Sequence, residues 1–164
     1  MMSLSEPEVR TVGYLSTVRG RFFRAVVPGY EQNALSGSVR AGRYSRPHQP
    51  TLYLSSSEAG VTAAMMAHAG LTDRWHVLQF DVNAADVFDL RASRALDEVR
   101  RKAGDPLSAW QEIAEHGGEP ASWHARDWIE SIGAKGLIDP SRKVPGLWHL
   151  VLFSWNVPGS PIVS

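Results

Sequence analysis

The chain has 164 residues, enough for one domain with a full hydrophobic core and no covalent staples. It contains no cysteine, which excludes disulfides and thiolate metal sites and points to a reducing, cytoplasmic setting. Seventeen basic residues balance seventeen acidic ones, so no net field draws the protein onto a phosphate backbone, and direct nucleic-acid binding is not expected.

Residues 1–19 are polar with weak periodicity and read as a lead-in segment, with the domain proper over 20–164. No basic stretch followed by an apolar run marks a signal peptide there. Residues 21–27 (RFFRAVV), aromatic and β-branched and stopped by Pro28-Gly29, predict a strand. A polar loop covers 29–50; its length inside a small domain, and its arginines Arg40, Arg43 and Arg46, favour a functional role. Residues 51–55 predict a short strand. Ser55-x-x-Glu58 then resembles a capping box, and Val61, Ala64, Met65 and His68 share one face of the helix that follows. Residues 75–82 (WHVLQFDV) predict a strand ended by Asn83. Helical periods come next, over about 92–103 (Ala95, Leu96, Val99 inward), 107–116 (Leu107, Trp110, Ala114 inward) and 121–132 (Ala125, Trp128, Ile129, Ile132 inward). Gly133 stops the last of them. Residues 136–139 and 147–155 predict closing strands around a turn at 140–146, and the second of these is too short to cross a bilayer. This order of elements predicts a single-domain α+β fold, with mixed or antiparallel sheets and flanking helices, rather than a doubly wound sheet.

Several chemistries have no support. No G-x-G-x-x-G follows a strand, no P-loop is present, and the nearest approach to a nucleophile elbow, Gly37-Ser38-Val39-Arg40-Ala41, lacks its closing glycine. The six histidines, at 48, 68, 76, 116, 124 and 149, form no H-E-x-x-H and no ligand spacing with carboxylates, so they read as structural and no metal is expected.

The sharper features are cationic. Arg24 sits inside an apolar strand, where a guanidinium must face solvent or be buried with an anionic partner. Arg43 follows Gly42 in the long loop, where the backbone can approach a ligand and a guanidinium can grip a pyrophosphate bidentately. Tyr53 stands ten residues later, in the strand leaving the loop, and Ser141 lies in the Asp139-Pro140-Ser141-Arg142 turn. Taken singly, each of these also fits a bland role: a solvated charge, a packed aromatic, a turn serine.

Taken in order, Phe23-Arg24, Leu35-Ser36-Gly37, Gly42-Arg43-Tyr44-Ser45, Leu52-Tyr53-Leu54-Ser55, Gly136-Leu137-Ile138, Pro140-Ser141-Arg142 and Leu150-Val151-Leu152-Phe153 resemble the RES family over about residues 20–155. The resemblance implies an ADP-ribosyltransferase-like fold. It also implies a toxin of a toxin–antitoxin pair that consumes NAD by hydrolysis, phosphorolysis or ADP-ribosyl transfer, without a metal. The implied partner is an Xre-type helix-turn-helix antitoxin, with room for a homodimer inside the complex and no membrane contact. By the same resemblance, Arg24 and Arg43 hold phosphates, Tyr44 and Tyr53 line the nicotinamide and ribose pocket, and Ser141 hydrogen-bonds substrate. Two departures stand out. Where the family has G-R-[WF]-N, this chain ends the motif in Tyr44-Ser45, which keeps an aromatic. The family's catalytic glutamate falls eleven residues past the tyrosine, and that position is Ala64. A naturally weakened enzyme, a deliberately inactivated one and a shifted register all fit, with Glu58 the nearest acid. The alternative reading is a catalytically degenerate RES-fold module that only binds its antitoxin.

Overall fold

The computed structural model describes residues 5–66 and 74–164. Along these residues run β1 (Glu8–Val12), β2 (Leu15–Val26), β3 (Leu52–Ser55), α1 (Glu58–Met66), β4 (His76–Asp89) and α2 (Ser93–Lys102). They are followed by α3 (Gln111–Glu115), α4 (Ala121–Ser131), β5 (Gly136–Pro140), β6 (Trp148–Leu152) and β7 (Ile162–Val163). The strand order is β1-β2-β3-β6-β5-β4-β7, and β4 also pairs with β2. Strands β2, β3, β6, β5 and β4 therefore close a ring. Its longest seam is the antiparallel β2–β4 pair, running from Leu15↔Phe88 to Val26↔His76. The β4–β5 pair is parallel, and the β2–β3, β3–β6 and β5–β6 pairs are antiparallel.

The period of two in a strand sorts the side chains into two cores. Leu52, Leu54, Ile138, Leu150 and Leu152 point into the ring and pack with Val18, Phe22, Val82, Ala84, Val87 and Trp148. Phe22 and Trp148 meet edge to face, with centroids 5.6 Å apart. The alternate positions Tyr53, Leu137 and Val151 face outward and meet Ala95 and Val99 of α2 and Ala125 and Ile129 of α4. The fold is thus a single α+β unit, as the element order predicts.

The departures have physical reasons. The expected lead-in contains β1 and the start of β2, paired from Glu8↔Arg19 to Val12↔Leu15. All but one residue of β1 are exposed, so that strand has no apolar face to read. Strand β4 continues past Asn83, which is held across from Arg19 on one side and Ile162 on the other. The helix expected over 107–116 shrinks to α3, because Asp105 turns the chain: its Oδ1 accepts the Leu107 N–H at 3.0 Å, and its carbonyl accepts the Ser108 hydroxyl at 2.8 Å. The cap of α1 is Ser57, whose Oγ accepts the Gly60 N–H at 3.1 Å, and not the expected Ser55–Glu58 box. His68 lies outside the described residues. Among the described residues, no helix is long and apolar enough to cross a membrane.

Candidate active site

The Gly42–Ser45 segment is a tight turn closed by reciprocal backbone hydrogen bonds between its ends, at 2.9 and 3.3 Å. Three consecutive carbonyls of this turn are taken by side chains of α4. Trp123 Nε1 donates to Gly42 at 2.8 Å, the Ser122 hydroxyl to Arg43, and Arg126 Nη1 to Tyr44 at 2.9 Å. From below, Tyr53 Oη accepts the Tyr44 N–H at 3.1 Å and shares a 2.7 Å hydrogen bond with Ser45 Oγ. Gly42 is required by this approach, since a methyl group there would stand 2.6 Å from the Tyr53 oxygen.

Arg126 is 3% exposed. Besides Tyr44 it reaches Thr51 Oγ1 at 2.5 Å and Glu130 at 2.6 Å, and its guanidinium lies 4.6 Å from the Phe153 ring centre. Replacing Arg126 with Met would leave the Tyr44 carbonyl and Thr51 hydroxyl unpaired in the interior. The expected cost is about 1–3 kcal/mol, read as a lower denaturant midpoint with an unchanged slope. Arg46, the third loop arginine, is likewise committed to α4 through a fork to Asp127 at 2.9 and 2.8 Å and a bond to Glu119 at 2.9 Å. Arg40 is exposed.

Tyr44 is fully buried and donates its hydroxyl to Asp139 Oδ1 at 2.7 Å. Arg142 holds the same carboxylate with both terminal nitrogens, at 3.1 and 3.2 Å. Burial, reinforced by the adjacent Asp139 charge, pushes the Tyr44 phenol well above its ordinary range, so it stays a donor. Burial also raises the Tyr53 phenol, against the opposing hydrogen bonds from Ser45 and the Tyr44 N–H. For Arg142, burial disfavours the charge but the Asp139 carboxylate outweighs it, and the guanidinium is held above its ordinary value.

Arg43 projects beside this cluster. Its Nη1 donates to the carbonyls of Pro106 and Ser108, at 3.2 and 2.7 Å. Those carbonyls belong to the segment where the helical period fails, so Arg43 takes acceptors that a helix would have used for itself. Its Nε and Nη2 make no hydrogen bond among the described residues. Burial, then repulsion from Arg142, lowers its pKa. Arg24 approaches from the other side. Strands β2 and β3 pair only at Phe23↔Ser55, and where they part the Tyr53 carbonyl is taken by Arg24 Nη1 at 3.0 Å. Burial lowers the pKa of Arg24, and its Nε is buried without a partner among the described residues. Neither Arg24 nor Arg43 has a carboxylate partner there.

Arg43, Tyr44, Tyr53 and Arg24 are therefore gathered around one end of β3. Ser141 follows Asp139 closely, but its Oγ accepts the backbone N–H groups of Lys143 and Val144, at 3.3 and 3.2 Å, in a turn. Ala64 is half-buried on α1 and offers no polar group, while Glu58 is exposed in the first turn of that helix. Asp139, Arg142, Arg126, His149 and Ser55 escape the sequence reading as site residues. Asp139 and His149 are cross-strand partners, as are Ser55 and His149, and only the register of β3, β6 and β5 brings them together. A separate cleft of about 940 Å³, lined by Tyr14, Asp86, Glu98, Trp128 and Ile132, contains none of these residues.

The RES domain family model matches residues 21–162. The chain belongs to the RES domain family. As a RES domain, it shares its fold with a chain in the crystal structure of the M. tuberculosis MbcT–MbcA toxin–antitoxin complex, at a TM-score of 0.53 and 16% identity. That alignment covers 89% of this chain and 81% of the other. A comparison with curated protein sequences gives no match.

Proposed function

We propose that this RES domain is an NAD-consuming toxin that cleaves the nicotinamide–ribose bond and is neutralised by an Xre-type helix-turn-helix antitoxin in the cytoplasm. One observation carries the reading: two part-buried guanidiniums, Arg24 and Arg43, flank Tyr53 and neither is in an ion pair with a carboxylate among the described residues. Buried cations without anionic partners are costly unless a ligand supplies the anion. A dinucleotide pyrophosphate does so, and the two free nitrogens of Arg43 match its paired oxygens.

The chemistry then asks little of the protein beyond placement and charge. Breaking the nicotinamide–ribose bond passes through an oxocarbenium-like state, as in glycoside hydrolysis. Nicotinamide leaves with the bonding electron pair, which neutralises its ring nitrogen, so no metal is needed to assist departure. Arg24 and Arg43 would hold the phosphates, and Tyr44 and Tyr53 would line the pocket for the ribose and nicotinamide. In this reading Ser141 reaches substrate only by leaving its turn. The M. tuberculosis complex of similar fold, a toxin with its antitoxin, favours a protein partner for this chain as well. Incubation with NAD is expected to release nicotinamide, followed by chromatography. If neither the native chain nor Ala64→Glu releases any, the enzyme reading is lost.

Ala64 favours a second reading, a degenerate domain that binds its antitoxin and NAD without turnover. It predicts retained antitoxin binding and NAD binding in the same silent protein.

A further inference from the structure

The end of the sheet carries a pair of groups that the functional reading above does not use. Ser55 closes β3 and is 6% exposed, and its Oγ lies 2.9 Å from His149 Nδ1 on β6. Both residues lie on the outward face of the sheet, alternating with Leu54 and Leu150, which point into the ring. Tyr53, Ser55, His149 and Asp139 thus share one surface, with Asp139 directly across from His149 on β5. The first turn of α1 rests on Ser55. A methyl group on Gly60 would stand 3.3 Å from Ser55 Cβ and 3.7 Å from Ser55 Oγ, so the glycine lets the helix come down onto the serine. Ala64 is one turn further along the same helical face. Among the described residues, the face of α1 turned toward Ser55 therefore presents Gly60 and Ala64, neither of which can accept a proton.

We infer that His149, oriented by Ser55, is the base that takes the proton from the attacking water in NAD cleavage. This rests on the functional reading above. In this role the ring takes the tautomer that donates from Nδ1–H to Ser55 Oγ, which leaves the Nε2 lone pair for the water. As the C1′–N bond breaks and its electron pair passes to nicotinamide, the water oxygen bonds to C1′ and its proton moves to Nε2. The imidazolium then releases that proton to solvent. The products are ADP-ribose, nicotinamide and one proton. The charged groups acting on the ring are Asp139, which favours its protonation, and Arg142, which opposes it. Burial is the largest influence and holds the imidazole below its ordinary 6.5, so it is unprotonated and ready as a base at neutral pH.

The test compares native protein, His149→Gln, Ser55→Ala and Ala64→Glu for nicotinamide release across pH, with melting curves to confirm folding. For His149→Gln, kcat is expected to fall about a hundredfold or more with KM within about threefold of native. The native fall in rate on acidification, located below 6.5, should vanish in this variant. Ser55→Ala keeps the ring but not its orientation, and should lose about tenfold in kcat with the acid limb retained. A His149→Gln protein with native kcat and an intact acid limb overturns the inference. Turnover by Ala64→Glu alone, with a silent native chain, also overturns it while leaving the NAD reading in place. Silence from both overturns the NAD reading, and this inference with it.

Discussion

Replacing Arg43 with alanine is expected to weaken NAD binding on the order of a hundredfold, because a charge-assisted contact to phosphate is worth about 1.5–3 kcal/mol and this guanidinium can offer two. Titration calorimetry with NAD, or with ADP-ribose to avoid turnover, measures the change. The substitution also strips a donor from the carbonyls of Pro106 and Ser108, so loss of affinity could follow from a displaced loop. Arg43→Lys separates the two causes. Lysine restores a point charge near the phosphates but not a planar fork, and it should recover part of the affinity while the melting midpoint returns toward native. Unaltered affinity in a folded Arg43→Ala protein would remove the phosphate role.

Installing a carboxylate by Ala64→Glu is expected to raise the rate of nicotinamide release by about 10²–10³, the scale of one positioned electrostatic group at a charged transition state. The gain should appear in kcat rather than KM, since the anion acts on charge that exists only as the bond breaks. Ala64 sits half-buried on α1, one turn past Gly60. A rate equal to native in a folded variant would show that position 64 does not overlook the ribose.

The fold was legible wherever burial imposes a pattern. The core of β2 around Phe22-Phe23, the pairing strands β3, β5 and β6, and the helices α2 and α4 all carry residues that alternate or recur at the period of their element. Strand β1 was not legible because it lies exposed on one neighbour, and β4 was cut short because Asn83 resembles a stop until β2 and β7 are seen on either side of it. The expected helix at 107–116 is shortened by the Asp105 turn, and the turn has a distant partner as well. The carbonyls of Pro106 and Ser108 accept from Arg43, more than sixty residues earlier in the chain.

The site divides the same way. Arg43 and Tyr44 lie in one short motif and Tyr53 in the next, and all three can be found by reading along the chain. Asp139 and His149 acquire their meaning only from strand register, and Arg142 from its grip on Asp139 three residues earlier. His149 in isolation reads as one more structural histidine, and Ser55 as half of a capping box. The arginines of the long loop also separate only in three dimensions: Arg46 is paired twice over, whereas Arg43 keeps two nitrogens uncommitted among the described residues.

The stitching of the Gly42–Ser45 turn to α4 has a consequence for molecular recognition. Three carbonyls capped by Trp123, Ser122 and Arg126, together with an amide held by Tyr53, leave this segment little freedom to lose when a ligand arrives. A ligand held by Arg43 as proposed would meet a turn already ordered, closer to lock and key than to the folding of a loop around its guest. On that proposal α4, without contributing to the chemistry, would set how well the pocket fits.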